Sequence, residues 1–196
     1  MRSGRVSRKT SETLIEIELV LDGIGKSKID TGIAAFDHLL GAFSKHGLFD
    51  LTVKAKDLKP IDGHHIFEDV GIVLGNALKK ALKDKKGIRR FGYSITPMDD
   101  ALSLVSLDIS GRGVVKTKMR FSREQVGDLP VDLLPHFFQS FGQNSGINLH
   151  ARTLTGQDDH HKAESLFKAF GLALRQAVEI DDRQSGEIPS QKGVLE

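Results

Sequence analysis

Apolar and polar residues alternate one by one in "TLIEIELVLDG" (13–23) and again in "ALSLVSLDISG" (101–111). That is the two-residue period of strands with one buried face, and each run stops at a glycine turn. The same alternation marks "LFDLTVKAK" (48–56) and "GINLHARTL" (146–154). Between these extended runs the apolar residues shift to helical spacing. A short helical stretch carries "HLLGAF" from His38 and "HFFQSF" from His136, and a longer one follows each second extended run. Each half of the chain thus predicts strands, a helix, a strand and a longer helix. The economical architecture is α+β: two pseudo-symmetric repeated halves, each a mostly antiparallel sheet with helices on one face. The repeats are expected at about residues 10–92 and 93–184 of one 196-residue domain. Lys-rich "LKDKKGIRRFG" fits a helix end and the turn that joins them. The basic start, with Arg2, Arg5, Arg8 and Lys9, reads as a frayed, solvated arm, or as an arm that contacts an anion or a neighbouring subunit.

The repeat preserves more than periodicity. His64-His65-x-x-Glu68 in "DGHHIFEDV" returns 96 residues later as His160-His161-x-x-Glu164 in "DDHHKAESL". The opening histidines, His38 and His136, precede these pairs by 26 and 24 residues. A duplication kept only for folding needs no such conservation of imidazoles and carboxylates.

If each pattern opens a helix, residues four apart share a face, while adjacent residues diverge by about 100°. His64 and Glu68 can then grip one ion, and His160 and Glu164 another. His65 and His161 point elsewhere and can be exchanged between the two. One set becomes His64, Glu68, His161 and His136; the other becomes His160, Glu164, His65 and His38. The assignment of His136 and His38 is the least constrained step. Three nitrogens and one oxygen leave open positions on an octahedral ion, as a catalytic metal requires. Six of the eight histidines are used in this way. His46, eight residues after His38, can line the same site, while His150 sits in a strand pattern and reads as a surface or packing residue.

Groups suited to a phosphate are spread along the chain: Arg89 and Arg90 in "GIRRFG", Arg112 between glycines in "SGRG", Ser190 and Lys192 in "PSQKG", and Lys168 one helical turn after Glu164. For each, ordinary surface charge is the plain alternative. Glu12 begins the first strand pattern and is a candidate base. Asp99 and Asp100 occupy a comparable place in the second half, where one of them can serve as a cap or turn residue.

Composition narrows the function. Hydrophobic content is 39% and charged content 28%, with no cysteine. A folded protein without disulfides or thiolate metal sites is expected, in a reducing cytoplasm. No apolar run approaches membrane-spanning length and no apolar segment follows the basic start, so neither a membrane partner nor a secretory signal is expected. A net charge of +2, one Tyr and no Trp argue against nucleic-acid binding. Three rival readings remain: a dinuclear hydrolase of phosphoesters, which would need more Asp around the motifs, a metal-clamped assembly without catalysis, and an RNA-binding module.

Read together and in order, "FDHLLGAFSKHGLFDLTVKAKDL", "DGHHIFEDVGIVLG", "IRRFGYSITPMDDALSLVSLDISGRG", "HHKAESLFKAFGLALRQAVEID" and "GEIPSQKGVL" resemble the imidazoleglycerol-phosphate dehydratase family of histidine biosynthesis. The likeness runs over almost the whole chain. It implies a ribosomal S5 domain 2-like fold and dehydration of imidazole glycerol phosphate to imidazole acetol phosphate, through an imidazolate bound by two metal ions. It implies two Mn2+ per active site, with ligands at His38, His64, His65, Glu68, His136, His160, His161 and Glu164. It places substrate contacts at Glu12, His38, His46, Arg90, Arg112, Lys168, Ser190, Gln191 and Lys192, besides the metal ligands His64, His65, Glu68, His160 and Glu164. The catalytic acid–base roles are expected at Glu12 and His46, and the tail 185–196 contributes to the site. Family members assemble as 24-mers with active sites between subunits, so a homo-oligomer is implied. The chain departs from the usual pattern at Ile66 (Thr), Asp158 (Asn), Ser165 (Ala) and Gln191 (Thr), none of which removes a ligand. Asp158 beside a dication would alter metal affinity or local pKa values.

Overall fold

The computed structural model describes residues 1–60, 62–184 and 186–195; of the expected tail, Ser185 and Glu196 lie outside the described residues. The first repeat runs β1 (Ser3–Lys9), β2 (Thr13–Val20), β3 (Ser27–Asp30), α1 (Ala34–Gly47), β4 (Asp50–Asp57) and α2 (His64–Leu82). The second runs β5 (Phe91–Met98), β6 (Ala101–Asp108), β7 (Val115–Lys118), a short hairpin β8 (Gln125–Val126) and β9 (Leu129–Pro130), α3 (Leu134–Ser145), β10 (Asn148–Thr155) and α4 (Asp159–Val178). The sheets have the orders β1-β2-β4-β3 and β5-β6-β10-β7, the same topology twice. In each, only the last pair is parallel: β3 with β4 and β7 with β10. The fold is therefore the expected α+β duplication with mostly antiparallel sheets. The β8–β9 hairpin has no counterpart among the described residues of the first repeat, and no hydrophobic alternation announces its four residues.

The basic start is not a frayed arm. It forms β1, laddered to β2 from Ser3 opposite Val20 to Lys9 opposite Leu14. Its side chains are too polar to read as a strand, so the sequence pattern misses it; backbone pairing and one close contact decide the matter. Gly4 lies directly on α2, where a Cβ would collide with the Ala77 carbonyl. Gly92 does the same in β5 on the Ala173 carbonyl of α4. Arg2 closes the strand with a fork of hydrogen bonds to Asp22.

Helices from opposite repeats pack together: α1 on α4, and α2 on α3. Nine phenylalanines are fully buried, and they join all four helices. Phe36 of α1 stacks on Phe67 of α2 at 4.2 Å between ring centroids and meets Phe137 of α3 edge-on at 5.4 Å. Phe137 stacks on Phe167 of α4 at 5.5 Å, and Phe43 of α1 on Phe170 of α4 at 4.6 Å. Offset and edge-on geometries of this kind add attraction beyond buried area. Glycines let the helix backbones approach. A Cβ on Gly75 of α2 would lie 2.6 Å from the Phe141 carbonyl of α3, and one on Gly171 of α4 would lie 2.5 Å from the Phe43 carbonyl of α1.

Replacing Gly171 by Ala separates two opposing effects. Helix propensity alone would stabilise by about 1 kcal/mol, whereas forcing a methyl against a carbonyl costs about 1–3 kcal/mol. Backbone cannot rotate away as a side chain can, so a net loss of stability is expected, read as a lower urea midpoint at unchanged m-value.

Candidate active site

Both paired-histidine motifs lie in the first turn of their helices, each with a carboxylate two residues upstream that accepts from its leading amide. The Asp62 carboxylate accepts from the His64 amide at 2.9 Å; that of Asp158 accepts from the amides of His160 and His161 at 2.7 and 3.3 Å. These bonds, from His160 first, hold the Asp158 carboxyl below its usual range. The unusual Asp158 is thus a helix cap.

Cross-repeat packing then gathers the ligand candidates. On α4, His160 Nε2 and Glu164 Oε2 are 3.4 Å apart, and His38 of α1 brings its Nε2 to 3.5 Å from the same oxygen. The donor atoms of His38, His160 and Glu164 all lie within 4.8 Å of one another. Two imidazole nitrogens and a carboxylate at such spacing fit a divalent ion. In the second cluster, His64 Nε2 is 3.5 Å from Glu68 Oε2, and the His136 ring of α3 is 4.7 Å from the His64 ring. His38 thus joins the His160 set and His136 the His64 set.

The other member of each pair turns away, to the hairpin of its own repeat. His65 Nε2 is 3.7 Å from Glu12 Oε2 in the β1–β2 turn. His161 Nδ1 is 2.7 Å from Asp100 Oδ1, and its Nε2 is 3.5 Å from Asp99 Oδ2, in the β5–β6 turn. The Asp100 contact raises the His161 pKa. Asp100 also accepts from the amides of Gln157 and Asp158, and these bonds, with His161, hold its carboxyl far below the ordinary range. Within one chain, then, His38, His160 and Glu164 of one expected four-ligand set come together, while in the other His64 meets Glu68 and the His136 ring lies against the His64 ring. His161 is absent from the His64 set and His65 from the His160 set; each faces the hairpin of its own repeat instead.

The two clusters differ in charge. Glu164 is 12% exposed and pairs with Lys168 Nζ at 2.9 Å. Burial opposes its ionisation, but Lys168 and then His38 outweigh that and hold its carboxyl below the ordinary range. Glu68 has Ile72 in the equivalent position and is about half exposed. His46 retains solvent contact; desolvation first, then Lys168, lower its pKa and favour the neutral ring. His150 is an exposed residue of β10. Of the departures, Ile66 is buried in the core, and Ser165 places its hydroxyl 2.6 Å from that of Ser103.

Arg90, Ser110, Arg112, Ser190, Gln191 and Lys192 line one cleft of about 360 Å³. Lys168 does not line it. Arg90 adopts a left-handed φ of 73° and donates to Asp108 from Nε at 2.7 Å and to the Pro189 carbonyl from Nη1 at 2.9 Å. Arg112 reaches the same carboxylate at 3.6 Å. Asp108, which the sequence analysis did not single out, orients both guanidinium groups. Its available signal was an acidic residue at the end of the alternating "ALSLVSLD", four before Arg112. Two arginines and a lysine around one carboxylate leave net positive charge for an anion.

The cleft and the His160 cluster lie at opposite ends of α4. The Arg90 amide donates to the Ala177 carbonyl at 2.9 Å, whereas His160 stands in the first turn. Seventeen residues at 1.5 Å each separate them by about 26 Å along the helix. Among the described residues, no helix is long and apolar enough to cross a membrane.

Comparison with known proteins identifies the family of the chain. Residues 31–174 match the family model described as imidazoleglycerol-phosphate dehydratase. Proteins of that name from Methylobacillus flagellatus and Burkholderia ambifaria are 49% and 50% identical over the whole chain, which spans 98% and 100% of their lengths. Crystal structures of the corresponding proteins of Pyrococcus furiosus and Staphylococcus aureus superpose with TM-scores of 0.83 and 0.81 at 34% and 32% identity. The superpositions cover 97% and 91% of this chain, and 100% and 99% of those structures.

The Glu164–Lys168 pair sets a pH dependence. A carboxylate with a lowered pKa contributes stability fully above the unfolded value of about 4.3 and loses it as pH falls through the folded one. In metal-free protein, Lys168→Met leaves burial opposed only by His38, so Glu164 should titrate at higher pH. Carbon-13 NMR titration of the glutamate carboxyls reads the shift directly.

Proposed function

The chain belongs to the imidazoleglycerol-phosphate dehydratase family and is a hydro-lyase, and from that premise we propose a metal-dependent active site assembled between copies of the chain, acting on imidazole glycerol phosphate. The observation that carries the proposal is the separation of the His160 cluster from the phosphate cleft. A small substrate of this kind, at about 1.5 Å per bond, spans about 10 Å, far less than the distance along α4. A second copy that brings its cleft to the clusters of the first resolves the mismatch, and it gives His65 and His161 a place to contribute. Exposed apolar residues support association: Phe91, Tyr93 and Ile95, all on the outer face of the edge strand β5, are 57%, 69% and 55% exposed. A patch of this kind fits a protein–protein contact.

Two divalent ions, Mn2+ by the family's habit, would be held by His38, His160 and Glu164 on one side and by His64, Glu68 and His136 on the other. His65 and His161 from a neighbouring copy would complete the two sets. When bound, the ions supply Lewis acidity toward the imidazole ring of the substrate. The chain's own residues do the rest. Arg90, Arg112, Ser190, Gln191 and Lys192 hold the phosphate and fix the side chain for reaction. The proton on the carbon next to the departing hydroxyl is not acidic in a simple diol. It becomes so once the ring has expelled that hydroxyl, and Glu12 is the base that takes it, leaving an enol that becomes the ketone. His46, held toward its neutral form, accepts a hydrogen bond near Glu164 and Lys168 more readily than it acts as a charged acid. The product differs from the substrate by one water, so no redox partner is needed.

Three measurements test this reading. Protein stripped with EDTA should lose dehydration of imidazole glycerol phosphate and regain it on titration with Mn2+, with a plateau near two ions per chain; metal uptake without turnover would sink the proposal. Glu12→Gln should lower kcat by about 10²- to 10⁴-fold and leave metal content unchanged. A chain carrying Arg112→Ala and Lys192→Ala, refolded together with a His160→Ala chain, should show more activity than either alone. Failure of that mixture, with each variant folded and mixed oligomers demonstrated, would return the site to a single chain.

A further inference from the structure

We propose that Asp69 is a positioning residue that sets Glu12 against the metal-bearing helix; the inference rests on the reading of Glu12 as the base. Asp69 follows Glu68 and lies four residues after His65, on the face of α2 that meets the β1–β2 turn. It is 7% exposed. Its Oδ2 accepts the hydroxyl of Thr13, which is fully buried and adjacent to Glu12. Its Oδ1 accepts from Arg8 Nη1 at 2.5 Å. The helix therefore holds the turn at two points one helical turn apart, His65 on Glu12 and Asp69 on Thr13.

The turn itself is rigid. The Thr10 hydroxyl accepts from the amides of Glu12 and Thr13 at 3.0 and 2.9 Å, and the Glu12 carbonyl accepts from the Leu58 amide at 2.7 Å. With the backbone of Glu12 pinned on both sides, a shift of Thr13 relative to α2 moves the Glu12 carboxylate as a unit.

The duplication supplies an internal control. The residue equivalent to Asp69 in α4 is Ser165, and its hydroxyl meets that of Ser103 on β6 at 2.6 Å. There the equivalent helix rests on the equivalent hairpin through two neutral groups, Ser103 standing two residues beyond Ala101, the counterpart of Thr13. The fold thus needs no buried carboxylate at this point, and burying one is costly unless it is paired and hydrogen-bonded. The charged version occurs only in the repeat whose turn carries Glu12.

The test compares Asp69→Ser, which copies the second repeat, with Asp69→Asn, which keeps an acceptor for the Thr13 hydroxyl, and with Thr13→Val. Metal content, melting temperature and steady-state kinetics are measured on the Mn2+-loaded protein. Misplacing a reacting group by about 1 Å costs about a hundredfold. Asp69→Ser and Thr13→Val should therefore lower kcat by about ten- to a hundredfold, with KM changed little and metal content unchanged. Asp69→Asn should recover most of the loss. Coupling is read against Glu12→Asp, whose shortened carboxylate is already misplaced; adding Asp69→Ser should cost far less there than in the wild-type background. A lower melting temperature with kcat intact, or a full Asp69→Ser loss on top of Glu12→Asp, would overturn the proposal. Near-normal turnover of Glu12→Gln would instead overturn the assignment of the base, whatever Asp69 does.

Discussion

The site depends on how closely helices of opposite repeats approach each other. α1 meets α4 and α2 meets α3 across a core of stacked and edge-on phenylalanines, and glycines at the crossings remove the side chains that would hold the backbones apart. Phe36 lies two residues before His38, and Phe137 directly follows His136. Rings buried in this core thus fix the height and direction of imidazoles at its rim. A packed interior tolerates little adjustment, so the distances between His38 and His160, and between His64 and His136, follow from hydrophobic packing several residues away from the chemistry.

Duplication gave the fold two copies of one frame, and the differences between the copies carry much of the chemistry. The carboxylate of Glu164 has Lys168 one turn on, where Glu68 has Ile72. The first hairpin offers Glu12 to His65, while the second offers Asp99 and Asp100 to His161, with Asp100 also tying down the start of α4. The outer face of β5 exposes Phe91, Tyr93 and Ile95, where β1 at the matching edge presents Ser3, Arg5 and Ser7. Symmetric backbones with unlike side chains thus give the two halves different charge and different partners.

Much of this was legible in the chain. Strand alternation in 13–23 and 101–111, and the repeated spacing of His38 and His136 ahead of the paired histidines, gave the duplicated α+β plan and the ligand candidates, because both signals are local and periodic. Helical geometry also separated His64 from His65 and His160 from His161, since neighbours on a helix cannot share a face. β1 escaped notice because its side chains are polar and it is held by its backbone ladder to β2. The β8–β9 hairpin is too short to show a period. Asp108 and Asp69 were missed for a common reason: each acts on residues distant in sequence, Arg90 in one case and Thr13 with Arg8 in the other.

The sequence by itself determined which residue types recur and at what spacing, hence the two-repeat plan, the histidine and glutamate donors and the cations for an anion. Such features arise from periods of 2 and 3.6 residues, which a linear chain displays directly. Only the tertiary structure decided that α1 pairs with α4 and α2 with α3, that Lys168 pairs with Glu164 and stands apart from the anion cleft of its own chain, and that this cleft lies at the far end of α4 from His160. Those outcomes come from packing between segments remote in sequence, where side-chain volume and backbone approach, and not local pattern, select one arrangement.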